Sequence, residues 1–235
     1  MITNEEEWYS QEWLADARNL IDWSHSIIAD LPLMILVRHS HRETIRTLRE
    51  MSETGITPLG ECMAREFGRR LNAGRITEIH HSFVPRCEQT ANEIANGVRQ
   101  IGGAVQFVKP FDLLVGPKVT DMNLWAKIGE DGIGVHTFVM SWERGQLGDG
   151  IEPFVEFSER LKTGIFEWFR TAGRNSLHIC VTHDLFLMTA RKSFLREEAH
   201  QSQRPPYLGG YALAMKEEKT IFYEARTKMA FELAD

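Results

Sequence analysis

The 235-residue sequence has little cysteine: three residues, Cys62, Cys87 and Cys180, widely spaced and without a CxxC pair. That excludes a zinc ribbon and a disulfide framework, and suits reduced thiols in a cytoplasmic protein. It lacks any apolar run long enough to span a membrane. Its first residues, Met1 to Glu7, are acidic where a secretory signal would be basic, so the expectation is a cytoplasmic chain with no membrane partner. It also lacks a cationic run. Lys and Arg number 27 against 33 Asp and Glu, a net charge of −6, and are scattered. Nucleic acid is therefore not expected as a partner, because counterion release needs clustered bases. Repeats and low-complexity segments are absent too.

What is present is a rhythm of apolar runs and amphipathic stretches. Residues 4–29 read as a leading helix capped by Asn4, with Trp8, Leu14, Leu20, Ile21, Ile27 and Ile28 forming its apolar stripe and Pro32 ending it. Such a helix packs on the domain surface, and it leaves a homodimer contact open. Leu33 to Val37 is a continuous apolar run, the pattern of a strand buried on both faces. Thr57, Pro58 and Glu61 open a helix to about Leu71. Strands are expected at 76–81, 104–108 and 177–181, helices at 87–101, 151–169 and after Asp184, and a terminal hairpin from 211–215 and 220–223. Residues 110–150 have no long periodicity. They are expected to form an insertion or cap of thin apolar content, with Trp125, His136, Phe138, Trp142 and Arg144 as candidate substrate contacts. The organisation is thus an N-terminal helical extension, 1–32, followed by one α/β domain, 33–235. The fold class is a three-layer α/β/α sandwich around a mostly parallel sheet.

In such sheets ligands bind at the carboxyl ends of the strands. Three segments there carry chemistry. In the first, Arg38 and Arg42 flank His39; paired guanidiniums match an oxyanion, and imidazole can act as a nucleophile. In the second, Arg86 stands at a helix start, where backbone amides also favour anions. In the third, His183 and Asp184 follow a buried strand.

The ordered set Leu36-Val37-Arg38-His39, then Ser82-x-x-x-Arg86-x-x-Gln89-Thr90-Ala91, then Thr182-His183-Asp184 resembles the histidine phosphatase superfamily over residues 33–223. The resemblance implies a phosphomonoesterase that forms a phosphohistidine on His39 and hydrolyses a small phosphorylated metabolite without a metal or other cofactor. It implies a phosphate pocket of Arg38, Arg42, Arg86 and His183. Features of two branches mix. Length and the Gln89-Thr90-Ala91 run resemble the phosphoglycerate-mutase-like branch. Arg38-His39-x-x-Arg42 and His183-Asp184 resemble the acid-phosphatase branch, which makes Asp184 the favoured general acid, with a raised pKa expected beside phosphate. Asp112 and Glu143 stand behind it, because no Glu follows the third strand. Ser40 replaces the usual Gly and either narrows the pocket or adds a hydrogen bond; His41 is a candidate substrate contact. His183 is expected to be protonated.

Two other readings use the same residues. A metal-dependent hydrolase would use the His39-Ser40-His41 pattern with His80, His81, His183 and Asp184, although three arginines would crowd its cation. A non-catalytic phosphate-binding module would use the pocket alone.

Overall fold

The computed structural model describes residues 4–216 and 219–233. The N-terminal segment is helical but broken: α1 (Asn4–Ser10), a short 3-10 turn, then α2 (Ala15–Ser26). The expected single helix does not form because residues 11–14 turn to bury Leu14 together with Trp8 and Leu20. The expected stripe also ends early, since Ile28 is 67% exposed. This segment contributes to the central core and is tied to the sheet by Arg75. The Arg75 guanidinium donates to Leu31 O (2.6 Å), Ile28 O (2.9 Å) and Ile27 O (3.2 Å), carbonyls left over after α2 ends.

The remaining elements are β1 (Leu33–Arg38), α3 (Leu48–Glu53), α4 (Pro58–Arg69), β2 (Ile76–His81), α5 (Pro85–Gln100), β3 (Ala104–Pro110), α6 (Val135–Glu143), α7 (Phe154–Arg170), β4 (Ser176–Thr182), α8 (Asp184–Leu195), β5 (Gly210–Lys216), β6 (Lys219–Glu224) and β7 (Met229–Leu233). They form one seven-stranded sheet in the order β3-β2-β4-β1-β5-β6-β7. The four strands β3, β2, β4 and β1 are parallel, and β5, β6 and β7 continue the sheet antiparallel. This is the α/β fold with a mostly parallel centre that the sequence implies. Every residue of β1 and of β4 is buried, as their apolar runs require.

Two apolar clusters cover the two faces of the sheet. One joins alternate residues of β1 (Leu33, Ile35, Val37) to α2, α4 and α5. The other joins Met34 and Leu36 to α6, α7 and α8. The segment 110–150 belongs to this second cluster through Leu113, Leu114, Leu124, Ile128, Phe138 and Trp142. Its apolar content is therefore not thin. The sequence pattern misses it because most of the segment is short 3-10 turns, and only α6 is a regular helix.

Helices α4 and α5 lie against each other with almost no side-chain spacer. A Cβ on Gly97 would stand 2.0 Å from Arg65 O, and one on Gly68 would stand 2.1 Å from Ile94 O. Alanine is better than glycine in a helix by about 1 kcal/mol, but here it would push two backbones apart. Gly97→Ala is expected to lower the thermal midpoint rather than raise it, by several degrees in a calorimetric scan; a rise would contradict the close packing.

Candidate active site

The carboxyl ends of β1, β2 and β4 meet at one cleft of about 240 Å³. Its lining includes Arg38, His39, Arg42, Arg86, His183 and Asp184, so all six candidate residues are brought together. Each position follows from local structure. Arg38 ends β1, and the His39 amide extends the ladder by donating to Thr182 O (2.9 Å). Arg86 lies in the first turn of α5, opened by Pro85. His183 precedes α8 at its cap, and Asp184 is the first helical residue. Two helix N-termini thus face the same cleft, a favourable setting for an anion.

His39 is buried, 2% exposed, and its Nδ1 lies 2.8 Å from Ser40 O. A carbonyl only accepts, so Nδ1 carries the proton and Nε2 keeps its lone pair. Burial first, then Arg86, Arg38 and His183, push its pKa well below the usual histidine value. The neutral form is favoured, and the Nε2 lone pair is available for attack on an electrophile. His183 lies with its ring centroid 5.7 Å from that of His39 and contacts Arg86 Nη2 (3.3 Å) and Ser82 Oγ (3.0 Å). Burial and Arg86 push its pKa down as well.

The arginines are held on their outer edges. Arg42 Nη1 donates to Glu43 O (2.7 Å) and Asp131 Oδ1 (2.8 Å), Arg86 Nη1 to Met51 O (2.5 Å), and Arg38 Nη1 to Pro205 O (3.1 Å). Arg38 also lies over the Tyr207 ring, 4.4 Å from its centroid. In all three, Nε is buried with no hydrogen-bond partner in the protein. Three guanidiniums lining one cleft favour an anionic, acceptor-rich ligand.

Asp184 departs from its expected role. Its Oδ2 receives Arg204 Nε (2.7 Å) and lies 3.3 Å from Arg38 Nη2, while Oδ1 accepts from the Leu185 amide (3.0 Å). Burial alone would raise its pKa, but Arg38 and Arg204 outweigh burial and hold the carboxyl far below the usual range. Its two arginine partners favour the ionised form. The fallback candidates lie outside the cleft lining: Asp112 is exposed on a short turn, and Glu143 pairs with Lys192 (3.0 Å). The carboxylate that the sequence reading missed is Asp131, which lines the cleft and is 46% exposed at its side chain. It was illegible because it stands in an irregular segment, at φ 56°, and meets Arg42 only through tertiary packing. Arg204 and Tyr207 were missed for the same reason.

Ser40 adds a hydrogen bond instead of narrowing the cleft. It is fully buried, and its hydroxyl donates to Gly60 O (2.7 Å). Gly60 is needed at that approach, since a Cβ there would lie 2.2 Å from His41 O. His41 itself turns to Thr57 Oγ1 (2.8 Å) and the Tyr207 ring and is not part of the lining. The HxH metal alternative is not gathered, because His80 lies with Glu78 and His178 instead. Of the proposed substrate contacts, Trp125 lines the cleft, with Phe138 stacked behind it at 6.0 Å. Trp142 is a core residue donating to Glu152 O (2.7 Å), and His136 and Arg144 lie outside the lining.

Residues 34–109, which hold Arg38, His39, Arg42 and Arg86, match the histidine phosphatase superfamily, branch 1. The fold agrees over a longer span. Bacillus stearothermophilus YhfR superposes on 80% of this chain and 93% of its own, with a TM-score of 0.52 and 21% identity. Phosphoserine phosphatase from Entamoeba histolytica covers 81% of this chain and 94% of its own at 14% identity and a TM-score of 0.51. A mycobacterial glucosyl-3-phosphoglycerate phosphatase covers 78% and 89% at 14% identity and the same TM-score, 0.51. At these identities the likeness is one of fold. No curated protein matches the sequence. Among the described residues, no helix is long and apolar enough to cross a membrane.

The depressed pKa of His39 has a consequence for stability. The unfolded chain takes up a proton near pH 6.5, the ordinary value, while the folded chain does not. Its contribution is complete above pH 6.5 and is lost as pH falls below it, by up to about 1.4 kcal/mol per pH unit. Replacing His39 by Gln should therefore flatten the fall in urea midpoint between pH 7 and pH 5. An unchanged slope would mean that His39 is charged in the folded protein.

Proposed function

We propose that the protein is a phosphomonoesterase that transfers a phosphoryl group to His39 Nε2 and then to water, with no metal in the chemical step. The observation that carries this reading is a neutral, buried imidazole facing three buried guanidiniums whose Nε groups have no partner in the protein. Phosphoryl transfer depends on positioning and charge stabilisation, which this arrangement supplies. In the first step the N–P bond forms as the ester P–O bond breaks, and the leaving oxygen takes a proton. In the second, water attacks phosphorus, the N–P bond breaks, and the proton returns to the donor. Arg38, Arg42 and Arg86 bind the phosphate oxygens. His183, neutral beforehand, becomes a cation once a phosphate dianion offsets Arg86.

The proton donor is reassigned to Asp131. It lines the cleft, is open to solvent and has one arginine partner, whereas Asp184 is clamped by two. Asp184 instead anchors Arg38 and Arg204. The upper wall of the cleft supports a substrate class. Ile45, Leu48, Met51, Val84, Met122 and Trp125 face it. A small phosphate ester with an apolar alkyl or aryl group fits such a wall better than a polyhydroxylated sugar phosphate, whose hydroxyls would lose water without gaining partners. The reading as a non-catalytic phosphate-binding module shares the pocket and differs only in lacking turnover.

His39→Ala separates these two. It should retain vanadate binding and lose release of phosphate from alkyl and aryl phosphates; turnover at the parent rate would end the phosphohistidine reading, and absence of turnover in the parent would leave the binding module. A second experiment assigns the acid. Asp131→Asn should lower kcat/KM by roughly 10²–10⁴-fold for an alkyl phosphate and little for p-nitrophenyl phosphate, whose leaving group needs no proton. Asp184→Asn should lower both alike, because it frees Arg38. The opposite pattern would return the acid role to Asp184.

A further inference from the structure

A second cluster of chemically active side chains lies away from the cleft, on the sheet face covered by α7. Glu78 and His80 are two apart on β2 and so project from the same face, and His178 is the register partner of Glu78 on the adjacent β4. Their neighbour Ile79 points the other way, into the core beneath α4 and α5. One donor atom from each of the three falls within 4.8 Å of the others, and His178 Nδ1 stands 3.3 Å from Glu78 Oε2. None of the three lines the catalytic cleft.

The cluster is short of hydrogen-bond partners. His80 is only 5% exposed, yet neither of its ring nitrogens has a partner in the protein, and nor does His178 Nδ1. Its surroundings are aromatic: Trp168 lies 4.2 Å from His80 and 5.0 Å from His178 between ring centroids, with Phe107 and Phe111 beyond. His178 Nε2 is 3.0 Å from Ser176 Oγ. When Nε2 donates to that hydroxyl, Nδ1 turns its lone pair toward the Glu78 carboxylate, and two acceptors face each other. Burial keeps both imidazoles neutral, lowering His80 to about 3 and His178 to about 4, the state in which imidazole ligates a metal. Lys109, in register with His80 on β3, is the positive group that acts on His80 and Glu78; its ammonium rests on the Phe107 ring at the exposed edge.

We propose that Glu78, His80 and His178 form a binding site for a divalent transition-metal cation of the Zn²⁺ class, separate from the catalytic cleft. Two imidazoles and one carboxylate favour Zn²⁺, Co²⁺ or Ni²⁺ over Mg²⁺ and Ca²⁺, which prefer all-oxygen sets. Metal–ligand bonds of about 2.0–2.1 Å place neighbouring donors about 3.4 Å apart in a tetrahedron, close to the His178–Glu78 spacing. The Ser176 hydroxyl is the outer partner that orients His178. Glu78, whose side chain is 20% exposed, gives the ion its way in and leaves room for water as a further ligand. The bound ion cross-links β2 to β4 beneath α7, so it acts on stability and not on the reaction.

The full-length protein, stripped with EDTA and dialysed, is titrated with Zn²⁺ alone by calorimetry and then heated. One Zn²⁺ per chain should bind and raise the thermal midpoint, with no rise from Mg²⁺. His80→Gln and His178→Gln should abolish the binding, and Glu78→Gln should weaken it at least tenfold. Absence of one-to-one binding in the parent would overturn the site, as would parent-like affinity in either histidine variant. Should those variants fail to fold by circular dichroism, Glu78→Gln decides, since its side chain reaches the surface: unchanged affinity there overturns the proposal.

Discussion

The constraint on which the rest depends is the gathering of like charge at the ends of β1, β2 and β4. Arg38, Arg42 and Arg86 are each no more than 7% exposed, and all three line one cleft. Burying three guanidiniums side by side is costly, and only a rigid surround holds them there. The parallel strands supply that rigidity. Asp184 and Asp131 offset part of the charge, backbone carbonyls fix the outer nitrogens, and two helix N-termini add to the positive field. Burial first and then the same field lower the pKa of His39, and the field outweighs burial at Asp184.

The parts of this design that sequence discloses are those with a local signature. The runs Leu33–Val37 and Leu177–Val181 can only be buried strands, and the residues that follow them must then emerge at the ligand-binding edge. The Thr57–Pro58 pair marks the start of α4, where Thr57 Oγ1 accepts from the Gly60 amide at 3.1 Å. The edge strand β7 has no such signature, because an exposed edge needs no apolar alternation; Met229 is 52% exposed. Arg204 lies in a loop with no pattern at all, yet after Arg38 it lowers the pKa of Asp184, 20 positions earlier. Arg38 and Arg204 lower the pKa of Asp184, and of these partners Arg204 could not be read from spacing.

The division between the two sheet faces also matters for function. The face under α4 and α5 is close-packed and apolar, with glycine at the points of contact. The face under α6, α7 and α8 carries the irregular segment 110–150, which supplies Asp131 and the apolar wall of the cleft. Under the proposed function, specificity is built on the less regular side, while the arginines that would bind phosphate stand at or just beyond the strand ends. A rigid anion site beside an adaptable wall is how one scaffold can serve many esters.

The central claim is that phosphorus is bonded to His39 during turnover. It is tested most directly by mixing the enzyme with a phosphate ester, quenching within a turnover in base, and mapping the modified peptide by mass spectrometry. The account predicts a base-stable, acid-labile phosphoryl group on the peptide containing His39. A phosphoryl group found on another residue, or release of phosphate in a single step with no phosphoenzyme at any quench time, would contradict it.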